Sequence, residues 1–333
     1  MNHFPVGYDF IGDIHGYAEP LHRLLRQMDY VERDGIYSHP ERQIMFLGDY
    51  IDRGPDQIEV LRIVRSMCAA GNAHAIMGNH EYNAIGWSII GENGKALRLH
   101  DETNRRQHQE FLDQVGEDSG LHKELVTWMR QLPIFWSAAQ HQPDFSDMHA
   151  FAAHACWNSD LIARLVQSNC INKLGRFTDE GLLQSFVKGS PVNDAAEIIL
   201  KGVEARLPKG VYYHDAQGAK RTKTRVRWWN RNLETIHALL LVDDDVLAKI
   251  PDERMVIESY DHEVPVFFGH YWMKGEPHLQ TEHAVCLDFS VARNGVLAGY
   301  RFSGEHELSA ESLIWVDAYP KQEQVCGADA PQI

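Results

Sequence analysis

Residues 8–16 read YDFIGDIHG, residues 44–54 read IMFLGDYIDRG and residues 75–81 read AIMGNHE. Each block opens on an apolar run, Tyr8–Ile11, Ile44–Leu47 and Ala75–Met77, and then breaks at a glycine into polar residues. A short apolar run bounded by turn residues reads as a buried strand. Glycine admits the sharp turn that follows, and in an open parallel sheet the polar side chains project beyond the carboxyl ends of the strands. Asp, His and Asn supply hard oxygen and imidazole donors, a set that suits Mn, Fe or Zn. A lone Gly-Asp pair would be an ordinary turn. Three strand ends carrying such donors describe a metal site, and a site of this kind points to hydrolysis.

Between the blocks the periodicity becomes helical. Leu21, Leu24, Leu25 and Met28 share one face of a helix expected over 18–30. Ile58, Leu61, Val64 and Cys68 do the same over 55–70, with Pro55 in the first turn and Gly71 at the end. Strand–helix–strand–helix order gives parallel neighbours through right-handed crossovers, which sets the three blocks on one edge of a sheet. Residues 83–145 and 158–207 read as helical elaborations, including a helix over 121–132 that Pro133 stops, and are expected to cap the site. Strand signals return at 211–213, 222–229, 264–268, 283–289, 296–302 and 312–316, expected to complete a second sheet.

The three blocks closely resemble the GDxHG, GDxxDRG and GNHE or GNHD blocks of the calcineurin-like metallophosphoesterases. Within that superfamily they are similar to the serine/threonine phosphoprotein phosphatases and the bacterial diadenosine tetraphosphatases. The resemblance covers residues 5–82 clearly and then thins to landmarks. It implies an α/β, four-layer fold, a central β-sandwich of two mixed sheets flanked by helices, with a helical cap insertion. It also implies two divalent metal ions, with Mn placed first and Fe or Zn as alternatives. Asp13 and His15 would hold the first ion, Asp49 would bridge both, and Asn79 would hold the second. Two later histidines complete the family's set. His270 follows the expected strand 264–268, and His154 ends the run 148–153, where His149 competes with it.

The same resemblance gives His80 the protonation of the leaving group, Asp52 its orientation, and Arg53 a hold on the phosphate. A second arginine is expected from the late region. Residues 220–231 hold Lys220, Arg221, Lys223, Arg225, Arg227 and Arg231 with no acid among them. If 222–229 is a strand, Arg221, Lys223, Arg225 and Arg227 share a face, so Arg225 or Arg227 is expected to reach the phosphate. The protein phosphatases' own motif for that arginine is absent. Glu81 reads as a capping or packing residue, His108 as structural, and Trp228 and Trp229 as packing.

The chain has 333 residues, 44% of them apolar, and a formal charge of −15, which argues against nucleic-acid and anionic-membrane partners. One domain is expected over 1–333, since no linker or repeat interrupts it. Five cysteines without a CxxC pair read as reduced thiols, and residues 1–7 show no secretory leader, so a cytoplasmic enzyme is expected. The first functional expectation is hydrolysis of phosphomonoesters in the manner of a serine/threonine phosphatase. Symmetrical hydrolysis of dinucleoside polyphosphates is the second, so the partner is a phosphoprotein or a small phosphoester. A catalytically inactive scaffold is opposed by a plausible occupant at every expected position.

Overall fold

The computed structural model describes residues 6–92, 94–141, 149–214, 218–255, 257, 260 and 263–319. Its centre is two mixed sheets packed face to face. The first runs in the order Asp288–Phe289, Val296–Phe302, Gly7–Ile11, Arg42–Phe46, Ala73–Ala75, with Leu313–Asp317 paired to Val296–Phe302. Gly7–Ile11, Arg42–Phe46 and Ala73–Ala75 are parallel, Ile44 facing Ala73 and Ile11 facing Phe46. Val296–Phe302 runs against Gly7–Ile11, with Tyr8 opposite Phe302. The second sheet has the order Ala284–Cys286, Val266–Phe268, Phe151–Ala153, Phe135–Ser137, the first three parallel and the last antiparallel.

Alternation along the strands divides the cores. Tyr8, Phe10, Met45, Leu47, Trp136, Ala152, Phe267, Val285, Tyr300 and Phe302 fill the space between the sheets. Ile11, Ile44 and Phe46 face outward onto Leu21, Leu24, Val60, Ile63 and Val64 of the helices Ala18–Gln27 and Gln57–Ala69. The far face of the second sheet, with Ala153, Val266 and Phe268, meets Ala195, Ile199 and Leu200 of the helix Pro191–Lys201. The layers are therefore helix, sheet, sheet, helix. No helix among the described residues is long and apolar enough to cross a membrane.

The structure departs from the sequence reading in four places. Residues 288–289, 296–302 and 312–316, expected in the second sheet, belong to the first, because Val296–Phe302 pairs with Gly7–Ile11 and takes Asp288–Phe289 and Leu313–Asp317 with it. Pro55 stays in the loop, and the helix begins at Gln57. The turn before it is fixed from within, since the Gln57 carboxamide bonds the Asp52 amide and the Gly54 carbonyl, each at 2.6 Å, and the Asp56 amide reaches Gly16 O at 2.8 Å. Phe135–Ser137, expected in a helical region, is the edge strand of the second sheet. Residues 211–213 and 222–229 do not extend the sandwich. Lys223–Arg225 pairs with Glu204–Arg206, and Lys220–Arg221 with Tyr213–His214, in two small ribbons. The alternation there is real, but it serves a small separate core of Leu207, Val226, Leu240, Val246 and Ile250. Trp228 then donates its indole N–H to Ala155 O at 2.9 Å, which pins this lobe to the second sheet. Cys68, Cys156, Cys170 and Cys286 are free thiols, and Cys326 lies outside the described residues.

Phe267 is fully buried and stacks on Phe10 with ring centroids 3.6 Å apart, joining the two sheets. Truncation to Phe267→Ala should lower unfolding free energy in a denaturant titration by about 3–5 kcal/mol. A loss below about 1 kcal/mol would show that this packing is not what holds the sheets together.

Candidate active site

The three loops converge at the carboxyl ends of Gly7–Ile11, Arg42–Phe46 and Ala73–Ala75. They bind one another through their backbones. The amides of Ile14 and His15 both reach Asp49 O, at 3.1 and 2.8 Å, and the Gly54 amide reaches His15 O at 2.8 Å. The third loop joins through Glu81. Its Oε2 accepts from the amides of Gly78 and Asp49, both at 2.9 Å, and its Oε1 accepts from Tyr50 N at 2.8 Å and more weakly from Ile51 N at 3.4 Å. Glu81 is fully buried. Burial and the Asp49 charge push its carboxyl up to about 7, while the amide donors favour the ionised form that can accept them all.

This bracing holds unusual backbone. His15, Asp49, Asp52, Arg53, His270 and Trp272 all have positive φ, between 50° and 76°. Such conformations disfavour residues with a Cβ and persist where surrounding structure over-determines them. Gly78 has no alternative: any side chain there would strike the carboxylate and amide of Asp49.

Asp49 stands at the centre. Its Oδ2 lies 3.6 Å from His15 Nε2, and its Oδ1 lies 3.4 Å from His154 Nε2. Potential ligand atoms of His15, Asp49 and His80 form one compact group and those of Asp49, His154 and His270 a second, so Asp49 belongs to both. Asp13 lies beside the first, its Oδ2 3.9 Å from His15 Nε2, and accepts from the His270 amide at 3.2 Å. Asn79 lies beside the second, with Oδ1 3.1 Å from His154 Nε2. It is the first residue of the helix Asn79–Ser88, whose amide end faces the site. His149 is exposed, whereas His154 is fully buried.

Two histidines are held in fixed orientation by main-chain carbonyls. His15 Nδ1 lies 2.9 Å from Ile51 O, and His154 Nδ1 lies 2.8 Å from Leu47 O. A carbonyl only accepts, so each Nδ1 carries a proton and each Nε2 is turned into the site, where that of His15 has no hydrogen-bond partner and that of His154 faces Asn79 Oδ1. Burial presses His15 down to about 3. Burial, then the Arg225 charge, holds His270 well below its ordinary value. Burial works against charge on His154, but the Asp49 and Asp13 carboxylates outweigh it and hold that imidazole up at about 10.

The residues fit a divalent metal on two grounds. His15 Nε2 and Asp49 Oδ2 are buried without a hydrogen-bond partner, facing each other. Buried polar atoms of this kind are costly unless something binds them. Negative charge is also crowded: burial, then the carboxylates of Asp288 and Asp49, lifts Asp13 well above the usual carboxylate range. Cations at this point would relieve both.

His80 and Asp52 form a second unit. His80 Nδ1 lies 2.5 Å from Asp52 Oδ2, and His108 Nδ1 lies 2.8 Å from Asp52 Oδ1. Burial would raise Asp52, but the two imidazoles outweigh it and hold the carboxyl well below its ordinary range.

The site opens into a cavity of about 620 Å³ whose lining includes eight lysines and arginines against two carboxylates, Asp49 and Glu204. Arg53 and Arg225 are among them. Arg225 donates from Nη1 to His270 O at 2.7 Å, which ties the late lobe to the ligand loop. Arg227, the other arginine expected to reach the phosphate, instead turns to the carbonyls of Ala238 and Leu240 and does not line the cavity. The alternation puts Arg225 and Arg227 on one face, but the chain passes from the ribbon into the lobe between them, where Val226 bridges Leu240.

Sequence reasoning passed over several groups. His108 shares the buried face of the helix Glu102–Val115 with Phe111, Leu112 and Val115, a helical repeat that marks it as inward-facing. Asp288 interrupts an apolar run, and its Oδ2 accepts from Trp272 N at 2.7 Å. Arg98, Trp272 and Arg293 line the cavity without any local sequence signal.

The sequence model of the calcineurin-like phosphoesterases matches residues 8–270. Over 73 residues the chain is 45% identical to the asymmetrical bis(5'-nucleosyl)-tetraphosphatase PrpE of Oceanobacillus iheyensis, covering 22% of this chain and 29% of that one. The chain thus aligns with less than a third of that relative's length. It is 23% identical over 309 residues to the symmetrical bis(5'-nucleosyl)-tetraphosphatase of Buchnera aphidicola, covering 92% of this chain and 98% of that one. A solved serine/threonine phosphatase from Saccharomyces cerevisiae superposes with a TM-score of 0.48 at 12% identity, covering 98% of this chain and 81% of that one.

Replacing Glu81 by Gln sets an amide N–H₂ against two backbone N–H groups. Glu81→Gln should lose about 2–5 kcal/mol of stability, the penalty for two buried unsatisfied donors, and should bind less metal on elemental analysis. Wild-type melting together with full metal content would remove Glu81 as the brace.

Proposed function

The chain belongs to the calcineurin-like phosphoesterase family, whose members are hydrolases acting on phosphoester bonds, and from that premise we propose that it hydrolyses dinucleoside polyphosphates. The observation that carries the reading is the cavity lining, eight cationic side chains in a protein of net charge −15. One phosphoryl group needs two or three such partners, whereas a substrate with several linked phosphates occupies many more. The alignment with a symmetrical tetraphosphatase along 92% of this chain supports the same choice. A phosphomonoester on a protein, placed first by the GNHE block, remains the second reading, because Arg53, Arg225 and the metal cradle would serve its single phosphoryl group equally.

In this reading Asp13, His15 and Asp49 cradle one divalent ion, and Asp49, Asn79, His154 and His270 cradle the other. Metal ions bound there supply charge neutralisation at the phosphoryl oxygens and activation of the attacking water. Arg53 orients the phosphoryl group from one side. Arg225, anchored on His270 O at 2.7 Å, orients it from the late lobe. His80 presents Nε2 to the leaving oxygen and gives up its proton there. Asp52 keeps the proton on Nδ1 and the ring in place, and His108 holds Asp52 from the opposite oxygen.

Asp49→Asn should reduce metal content and turnover together; full metal occupancy in that variant would remove the bridging role. His80→Asn should keep its metals and lose roughly 10²–10⁴ in rate on a phosphoserine peptide, whose alkoxide needs a proton, and less on p-nitrophenyl phosphate. His108→Asn should follow the same leaving-group trend with a smaller loss, and equal losses on both esters would contradict the relay through Asp52. For the substrate class, diadenosine tetraphosphate should show a higher kcat/KM than phosphoserine peptides with Mn, Fe or Zn supplied. A tenfold preference for the phosphopeptide would overturn the choice.

A further inference from the structure

Trp272 is an oddity that the hydrolytic reading leaves unused. It sits in the loop after His270, with φ +53°, and its amide is fastened to Asp288 Oδ2 at 2.7 Å. Two guanidinium groups lie over its indole. The Arg53 carbon is 4.4 Å from the ring centroid and the Arg293 carbon is 3.9 Å from it. Both arginines line the cavity beside Trp272 itself. They come from opposite ends of the chain. Arg53 ends the second motif block, whereas Arg293 ends the short 3-10 turn Val291–Arg293, flanked by Ser290 and Asn294, both at φ +62°.

Stacking on an indole face is favourable for one cation and pre-orients its planar donors. Two on one ring is a different matter. Both guanidinium carbons lie within 4.4 Å of one ring centroid, so the charges are separated by no more than about one Debye length at physiological salt and repel. The Arg53 Nε is moreover buried without a hydrogen-bond partner. Such an arrangement is suited to a multiply charged anion that meets both guanidinium groups in the cavity they line. With both guanidinium groups on the ring, Trp272 acts as a spacer for the arginines rather than as a platform for a base.

We propose that Arg53, Trp272 and Arg293 form a diphosphate clamp, in which Arg53 holds the phosphoryl group under attack and Arg293 holds the phosphoryl group linked to it. The clamp deepens the polyphosphate reading and rests on it for its biological substrate. Arg293 is then a specificity-determining residue that favours linked phosphates over single ones. Trp272 is a positioning residue that acts through both arginines.

The test is competitive inhibition of p-nitrophenyl phosphate turnover, with metal in excess, by imidodiphosphate (two linked phosphoryl groups that resist hydrolysis) and by orthophosphate. Wild type should bind imidodiphosphate more tightly. Arg293→Gln should raise the imidodiphosphate inhibition constant at least tenfold more than the orthophosphate constant. Trp272→Ala should raise both and narrow the gap between them, and Trp272→Phe, which keeps an aromatic face, should recover most of the discrimination. A parallel change in both constants for Arg293→Gln, or no change in either, overturns the clamp. Turnover of diadenosine tetraphosphate by the wild type is scored separately. Failure there with intact diphosphate discrimination would sink the proposed substrate and leave the clamp standing.

Discussion

A single buried carboxylate couples the loops on which the site depends. Glu81 accepts backbone N–H groups from its own helix start and from the loop of Asp49. That loop holds Asp49, Asp52 and Arg53 in left-handed backbone, which an unbraced chain would leave for more populated regions. Because Ile14 and His15 bond in turn to Asp49 O, the brace reaches the first loop as well. Three segments far apart in sequence thus become one rigid rim. Rigidity matters here because a cradle for cations must place its donors before the ions arrive.

Electrostatics divides the site into two zones of opposite sign. At the base, Asp13, Asp49 and Asp288 are buried close enough that Asp13 is driven well above its ordinary range. Over the cavity lining as a whole, Asp49 included, lysines and arginines outnumber carboxylates four to one. In a chain of net charge −15 this separation concentrates attraction for anions at one opening. The base is suited to metal ions and the mouth to the phosphates that such ions act on. The late lobe contributes part of the cationic wall through Lys223 and Arg225, and Arg225 ties it to the His270 loop.

Much of this was legible because the decisive residues sit at strand ends. An apolar run followed by glycine and then by Asp or Asn announces both the local structure and the direction of the side chain. The resemblance supplied the partners, and the structure brings Asp13, His15, Asp49, Asn79, His154 and His270 to one place. What escaped notice lacks that local grammar. Alternation put Arg225 and Arg227 on the same face, but only the path of the chain after Val226 sends one to the cavity and the other to Ala238 and Leu240. His108 showed a weak sign, the helical spacing with Phe111 and Leu112, yet its bond to Asp52 spans 56 positions. Glu81 looked like a helix cap and is one, through Gly78 N; its reach across to the Asp49 loop is tertiary. Trp272 and Arg293 stand together only because one sheet closes on the other.

The central claim is a cradle with Asp49 shared between two cations. Its most direct test is an anomalous-difference map from crystals grown with manganese. Two peaks should flank the Asp49 carboxylate, one towards Asp13 and His15 and the other towards Asn79, His154 and His270. A single peak remote from Asp49, or none in the cavity, would contradict it.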